Sequence, residues 1–245
     1  MVVKFIESLF DLKIRKSMYR NFFKRCFDIV SSGMALIVLS PILLYTGYLV
    51  KTRLGSPVLF TQIRPGKDGK LFRMYKFRSM TDERDAEGNL LPDDVRLTEF
   101  GKRLRATSAD ELPELINIFK GDMSVVGPRP QLVRDMVFFT EEEMQRQSVY
   151  PGLTGLAQIC GRNNITWKEK FAFDLQYIKD INFLEDMRII FRTVFKVSAQ
   201  EDIATDGMET AEDYGDWLLR TGQIEQEEYD KKQAEAKKML DEFEG

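Results

Sequence analysis

The chain has 245 residues, a formal net charge of −3 and no histidine. The absence of histidine excludes a Ser-His-Asp triad, a histidine proton shuttle and the HExxH zinc motif. The two cysteines, Cys26 and Cys160, lie far apart, which indicates neither a thiolate metal site nor a disulfide framework. Acid–base or nucleophilic chemistry would therefore fall to carboxylates, lysine, tyrosine or serine, and a divalent metal would be oxygen-ligated Mg²⁺ or Mn²⁺.

The first predicted element is an amphipathic helix over residues 1–20, which could lie on a membrane or pack on the body. The second is Ile29–Val50, an uncharged apolar stretch long enough to span a bilayer. Ser40 and Pro41 interrupt it, and an interior proline breaks or kinks a helix. Basic residues flank both ends, so the positive-inside rule places both ends in the cytoplasm. The pattern favours a re-entrant helix–break–helix over residues 21–54, with an ordinary kinked span as the alternative.

The next predicted element is a β-hairpin over residues 58–80, because two apolar and aromatic runs flank a turn cluster of glycine and proline. Lys76 and Arg78 share one side of its second strand. Residues 82–95 are polar and predict a loop, and Glu99–Arg105 predicts a basic helical turn.

The central motif is a pair of adjacent carboxylates, Asp110 and Glu111, close to Pro113. Because proline is tolerated only in the first helical turn, the pair is predicted to lie in the cap or first turn of a helix that Gly121 ends. Unpaired N–H groups favour anions there, so we expect both carboxylates to be ionised and exposed, with room for a phosphate beside them. A capping box, Ser108-x-x-Glu111, is the structural alternative.

Arg129 stands between two prolines in the segment Gly127–Pro130, which fixes the backbone around it. A rigidly presented guanidinium suits bidentate phosphate binding, although pairing with a local carboxylate is an equal alternative. Residues 151–163 are rich in glycine and include Arg162. Glycines let backbone N–H groups approach a ligand, but the spacing is neither a P-loop nor GxGxxG.

The last third of the chain changes abruptly in character. Residues 187–197 are apolar apart from three basic side chains at four-residue spacing, which predicts either an interfacial helix or a core helix with a solvated face. Residues 201–245 carry 15 Asp/Glu against 5 Lys/Arg, a net charge of −10, so the rest of the chain is +7. We expect this tail to form solvated helices, anchored around Trp217–Leu219, that project into the cytoplasm. The basic body suits an anionic partner, of which nucleic acid is the weakest candidate.

Many motifs of the chain, in the order in which they occur, resemble those of one family, the small monotopic phosphoglycosyl transferases that initiate bacterial glycoconjugates. The resemblance covers about residues 18–198 and is greatest to the short form that starts a polyprenol-linked N-glycan. The first 17 residues and the acidic tail fall outside it. The motifs are Met18–Phe22, Ser40-Pro41, Phe60–Gln62 with Arg64–Gly66, Tyr75–Met80, Asp82–Ala86, Asp110–Pro113, Gly121–Ser124, Gly127–Pro130, Pro151–Gln158 and Gly161–Asn163.

The resemblance implies transfer of a phospho-sugar from a UDP-sugar to a polyprenol phosphate, commonly undecaprenyl phosphate, with release of UMP. It implies that Asp110, with Mg²⁺ (Mn²⁺ possible), attacks the β-phosphorus and forms a covalent phosphosugar intermediate. Glu111 would assist, with the role of base for the incoming phosphate as one alternative, and Asp110 would also support the metal. It further implies a re-entrant helix broken at Ser40-Pro41, in a monotopic protein on the cytoplasmic face of the bacterial inner membrane.

Charge neutralisation is the main requirement of this chemistry, because an anionic nucleophile must meet anionic phosphates. Arg105 and Arg129 are the strongest candidates for it, since one precedes the dyad by five residues and the other is rigidly held. The complete set of candidate phosphate-binding side chains is Lys76, Arg78, Arg105, Arg129 and Arg162.

The predicted fold class is α+β and mostly helical, with a re-entrant membrane helix, interfacial amphipathic helices, a small β-hairpin and an acidic helical tail. Rival hypotheses are a membrane-anchored aspartyl-phosphate phosphatase or nucleotide hydrolase, and a bitopic scaffold whose tail binds a partner. The sequence leaves open which sugar is transferred and the oligomeric state. The predicted division is 1–20 N-terminal extension, 21–54 membrane helix, 55–200 catalytic domain and 201–245 tail.

Overall fold

The structure, a computed structural model, describes residues 17–161, 165–199 and 212–245. Most of the predicted N-terminal amphipathic helix, the Arg162 side chain and the start of the acidic tail lie outside these residues. Within them the fold is α+β and mostly helical, with two separate two-stranded sheets, as the sequence predicts for the class.

The uncharged stretch folds as two helices, α1 (Lys24–Val38) and α2 (Ser40–Leu54). Leu39 separates them, and Ser40 Oγ donates a hydrogen bond of 2.7 Å to the carbonyl of Ile37. Pro41 lies in the first turn of α2, where its missing N–H needs no partner. The predicted break at Ser40-Pro41 is therefore confirmed.

A π-helical turn, Tyr19–Phe23, leads into α1. Among the described residues, no single helix is both long and apolar enough to cross a membrane; only the bent pair that α2 forms with the segment Tyr19–Val38 meets those criteria jointly, at an angle of 63°. Several large apolar side chains of this pair are exposed, among them Ile37, Val38 and Leu44.

The predicted hairpin is confirmed. Strands β1 (Leu59–Pro65) and β2 (Leu71–Phe77) pair antiparallel, with Leu59 opposite Phe77 and Pro65 opposite Leu71. The polar loop that follows contains one short helix, α3 (Asp93–Arg96). The predicted basic turn is helix α4 (Glu99–Ala106), whose N-cap Thr98 accepts a hydrogen bond from the N–H of Gly101.

The middle of the body is helix α5 (Glu114–Lys120), which packs between β2 and α1. Gly121 ends it with a φ of 104°, which a side chain would strain. A parallel strand pair that the sequence pattern did not predict follows, formed by β3 (Ser124–Val126) and β4 (Gly152–Thr154). These strands are only three residues long, too short to show an alternating pattern.

The other helices surround this centre, and one of them has a mixed surface. Among the exposed side chains of helix α10 (Phe183–Ala199) are Leu184, Phe191 and Phe195 together with Arg188, while Ile189 is fully buried. Exposed apolar and basic side chains on one helix are what the interfacial alternative predicts. The bounds are α6 (Val133–Met136), α7 (Glu141–Met144), α8 (Leu156–Cys160), α9 (Trp167–Lys179), α10 (Phe183–Ala199), α11 (Tyr214–Arg220) and α12 (Gln226–Glu244).

The expectation of a tail that projects away from the body is wrong for residues 212–245. Helices α11 and α12 pack on the body, and Tyr214, Leu218 and Ala236 are buried in a cluster with Trp167 and Phe171. Apolar burial of this kind outweighs the charge argument, because acidic side chains remain on the outer face while the apolar ones are removed from water.

Candidate active site

The dyad lies in a 3₁₀ turn, Ala109–Glu111, between α4 and α5, instead of in an α-helical first turn. Ser108 has a left-handed backbone with a φ of 52°, and its side chain does not cap this turn, so the capping-box alternative is not found. Pro113 directly precedes α5. The chain thus reverses after α4 and places the dyad against β2.

Glu111 is held by two cations. Its Oε1 accepts a hydrogen bond of 2.9 Å from Lys76 Nζ and another from Arg129 Nη2. Burial acts to raise the pKa of Glu111, but the charges of Arg129 and Lys76 hold that pKa below its usual range. Glu111 is therefore ionised and fixed in position.

Asp110 is ionised at neutral pH but not exposed, which corrects the sequence-based expectation. Its relative exposure is 9%, because the turn tucks it into the body. Burial raises the pKa of Asp110 to about 6, the charge of Glu111 adds to this, and Lys76, Arg105 and Arg129 oppose it. Within the described part of the chain, no hydrogen bond or salt bridge engages the Asp110 carboxylate. A desolvated carboxylate without a fixed partner retains its lone pairs for a reaction.

Arg129 is positioned from its own backbone as well as by the flanking prolines. Its carbonyl accepts a hydrogen bond of 2.7 Å from Arg146 Nη2. Arg146 in turn donates to Asp174 Oδ2 from Nε at 3.0 Å and from Nη2 at 2.6 Å. The charge of Glu111 raises the pKa of Arg129 further, so this guanidinium stays charged.

Of the other predicted cations that the structure describes, only Arg105 is shown to act on the dyad. Arg105 lies close enough to oppose the raised pKa of Asp110, and its Nε donates to Ser79 Oγ at 2.9 Å. Together, Lys76, Arg105 and Arg129 surround the dyad, and their role in phosphate binding stays a prediction. Arg162 lies outside the described residues.

Arg78 points away from the dyad, although it is two residues from Lys76. Its guanidinium donates to the carbonyl of Leu54, to the carbonyl of Ser56 at 3.0 Å and to Asp82 Oδ2 at 2.6 Å. Strand pairing ends at Phe77, so the alternation that would align Lys76 with Arg78 no longer applies there. Arg78 instead satisfies carbonyl groups at the end of α2.

The oxygen ligands that this site offers suit a hard cation whose remaining ligands come from the substrate phosphates. Among the described residues, no group of three or more carboxylate or other ligating side chains could hold a metal ion alone. Mg²⁺ often binds through one or two carboxylates plus substrate phosphates and water, and the unengaged oxygens of Asp110 are of that kind. Mn²⁺ has the same ligand preference.

Comparison with known proteins identifies the protein family. A profile described as bacterial sugar transferase matches residues 19–200. The chain belongs to this family. It is 49% identical over 189 residues to the uncharacterized sugar transferase EpsL of Bacillus subtilis (strain 168), covering 77% of this chain and 94% of that protein. It is 44% identical over 187 residues to the UDP-glucose:undecaprenyl-phosphate glucose-1-phosphate transferase of Klebsiella pneumoniae, covering 71% of this chain and 40% of that protein.

A third relative of this sugar transferase is the undecaprenyl-phosphate galactose phosphotransferase of Salmonella typhimurium (strain LT2), with 39% identity over 199 residues, 74% of this chain and 41% of that protein. The sugar transferase thus spans about two fifths of the length of the Klebsiella and Salmonella proteins. The resemblance drawn from the motifs is confirmed, and the protein is an initiating phosphoglycosyl transferase enzyme.

The sequence pattern did not predict three residues that contact or support the cations of the site. Arg146 and Asp174 act on Arg129 through a long-range contact that no local pattern reveals. Glu114 lies 3.3 Å from Lys76 through its Oε1 and is almost fully buried. Its position in the first turn of α5 looked like an ordinary helix start, where acidic residues are common.

Proposed function

We propose that this protein transfers a sugar phosphate from a UDP-sugar to undecaprenyl phosphate, or a related polyprenol phosphate, through a covalent phosphosugar on Asp110. The observation that carries the proposal is a buried carboxylate without a fixed partner, surrounded by three cations and next to an ionised glutamate. The names of the Klebsiella and Salmonella relatives describe transfers to undecaprenyl phosphate and support the choice of acceptor.

In the first half-reaction, an oxygen of Asp110 forms a bond to the β-phosphorus of the UDP-sugar. The bond from that phosphorus to the bridging oxygen breaks, and UMP leaves with the bonding electrons. Lys76, Arg105 and Arg129 lower the repulsion between the aspartate and the diphosphate. Because Glu111 already holds Lys76 and Arg129 in place, these cations need little reorganisation when the donor binds.

In the second half-reaction, an oxygen of the polyprenol phosphate attacks the same phosphorus and releases the Asp110 carboxylate. Glu111 is better suited to positioning the cations than to acting as a general base. The cations that hold its pKa below the usual range make it a weak proton acceptor near neutral pH. A phosphate monoester that is already doubly ionised needs no base in this step.

Asp110, with the diphosphate oxygens of the donor, would hold the Mg²⁺ or Mn²⁺ ion. When bound, such an ion supplies further neutralisation of phosphate charge. We expect formation of the phosphosugar ester to need one of these ions and to stop in excess EDTA. Full activity in the chelator would contradict this part of the proposal.

We place the bent pair α1–α2 in the membrane as a re-entrant segment of a monotopic inner-membrane protein, with the active site at the cytoplasmic face. The support is that both ends of the pair are bound to one body. Lys24 Nζ contacts Asp186 Oδ2 at 2.5 Å, and Arg25 donates to carbonyls at the end of α5. At the other end, Arg78 binds the carbonyl of Leu54. A bitopic scaffold would need these ends on opposite sides.

The test is an intact-protein mass measurement after incubation with a panel of UDP-sugars and Mg²⁺ but no lipid acceptor. We expect an increase equal to one sugar phosphate, mapped to Asp110, with one UMP released per protein. Asp110→Asn should remove the adduct and reduce turnover by about a thousandfold or more, because it removes the nucleophile. Asp94→Asn on the exposed face of α3 is the matched control and should behave as wild type.

Two results would contradict the proposal. UMP release only in the presence of polyprenol phosphate, with no adduct trapped, would favour direct transfer and reduce Asp110 to a metal ligand. Free sugar phosphate as the product, with water as the acceptor, would favour the hydrolase. With undecaprenyl phosphate present, the expected product is the lipid-linked sugar phosphate.

A further inference from the structure

Glu114 is a carboxylate beside the dyad that the proposed transfer does not use. Its relative exposure is 1%, and its Oε1 accepts no hydrogen bond within the described part of the chain. Lys76 Nζ lies 3.3 Å from that oxygen, an ion pair without the alignment of a hydrogen bond. The same Nζ donates to Glu111 Oε1 at 2.9 Å, so one ammonium stands between two carboxylates. A buried, ionised oxygen whose ion-pair partner is shared with a second carboxylate is only partly compensated for the loss of water.

The surroundings of Glu114 favour its uptake of a proton near neutral pH. Burial raises the pKa of Glu114 to about 7, and the charge of Glu111 adds to this. Lys76 on β2 and Arg129 in the loop after β3 oppose the rise. The charge of Glu114 also acts on Arg64 of β1.

We propose that Glu114 is a positioning residue for the transfer, which competes with Glu111 for Lys76 and releases this lysine to the dyad when it takes up a proton. The inference rests on the proposed function, because it assigns Lys76 to the bound phosphates. When Glu114 is ionised, the charge of Lys76 is shared between two carboxylates. When Glu114 is protonated, the site loses one negative charge, and Lys76, still hydrogen-bonded to Glu111, presents its charge to the diphosphate of the donor without a second carboxylate beside it.

Because donor binding and protonation of Glu114 are thermodynamically linked, the competition for Lys76 can be measured as proton uptake when the donor binds. A bound diphosphate competes with Glu114 for the charge of Lys76, so donor binding should drive Glu114 to its protonated form. The diphosphate diester of a UDP-sugar does not itself titrate near neutral pH. Asp110 also titrates in this region, so Asp110→Asn is used as the background, which blocks turnover during the measurement as well.

The experiment is calorimetry of UDP-glucose binding to the full chain, with Mg²⁺, in buffers of different ionisation enthalpy. With Asp110→Asn, we expect uptake of about half a proton per UDP-glucose near pH 7 and an affinity that weakens by about tenfold towards pH 9. With Asp110→Asn/Glu114→Gln, we expect neither the uptake nor the weakening. Glu99→Gln in the same background removes an exposed carboxylate on α4 and should leave both in place.

Equal proton uptake with and without Glu114→Gln would overturn the inference. If Glu114 had a purely structural role, Glu114→Gln would lower the thermal midpoint and leave the pH dependence of binding unchanged. We expect instead that the thermal midpoint does not fall, because the change removes a buried charge, and that the pH dependence of binding is lost. Infrared difference spectra give a second readout that needs no ligand. They should show a protonated carboxyl that titrates near pH 7 in Asp110→Asn and is absent from the double variant. No binding of UDP-glucose or any other UDP-sugar would count against the proposed function, while this titration still decides whether Glu114 takes up the proton.

Discussion

The buried ion pair between Arg146 and Asp174 should be one of the most costly contacts to break in this protein. Their side chains are 3% and 1% exposed, and two N–H groups of Arg146 reach Asp174 Oδ2. Asp174→Leu would leave the guanidinium buried without a counter-charge. Breaking a buried pair in this way costs about 3–5 kcal/mol, whereas an exposed pair contributes about 0–1 kcal/mol.

The apolar double variant separates the charge from the space that the pair fills. The guanidinium of Arg146 stacks near the rings of Phe139 and Phe171, a contact that a methionine side chain can replace. Arg146→Met/Asp174→Leu should therefore recover most of the stability that Asp174→Leu loses. It should not recover full activity, because the carbonyl of Arg129 still lacks its donor.

Urea unfolding in detergent provides the assay, followed by the fluorescence of Trp167 and Trp217 in the neighbouring aromatic cluster. At about 2–4 °C per kcal/mol for a chain of this size, Asp174→Leu should also lower the thermal midpoint by about 10 °C. Glu99→Gln, which breaks the exposed pair with Lys102, is the control and should change stability by less than about 0.5 kcal/mol. A loss as small as this for Asp174→Leu would refute the reasoning, as would a double variant that is no more stable than Asp174→Leu.

Two further predictions concern topology and the support of Arg105. In a background without Cys26 and Cys160, cysteines introduced at the exposed positions Phe22 and Arg53 should both resist labelling from the periplasm of intact cells; labelling of either would rule out the re-entrant arrangement. Gly101→Ala should strongly reduce adduct formation, because the new Cβ would lie 1.9 Å from the carbonyl oxygen of Ser79, whose side chain binds Arg105; unchanged adduct yield would show that this support is unnecessary.

Local signals predicted the parts of the fold that depend on local conformation. Proline chemistry located the break at Ser40-Pro41, and alternation around a turn located the hairpin. The dyad was predicted as a motif, but the burial of Asp110 was not, because the dyad lies in a 3₁₀ turn that follows the left-handed residue Ser108 and packs against β2. Burial of this kind depends on tertiary packing and leaves no local signal in the sequence.

Long-range contacts explain the remaining differences. Strand alternation predicts that Arg78 lies beside Lys76, yet its guanidinium donates hydrogen bonds to carbonyl groups at the end of α2. Asp174 helps to position Arg129 only through Arg146, which is 28 residues from Asp174 and 17 residues from Arg129 in the sequence. The acidic composition of the tail predicted solvation, whereas a few apolar positions such as Tyr214 decide where it packs.

The family profile ends at residue 200, but the folded body does not end there. A shortened version cut at that boundary would present Trp167, Phe171 and the ring of Phe138 to water, and such an aromatic surface invites non-specific association. For the same reason, helices α11 and α12 could be grafted onto a shorter relative only together with the residues that receive them. The fit is close: any side chain at position 215 would begin 2.5 Å from the ring of Phe138, so that ring would have to shift where α11 meets the body.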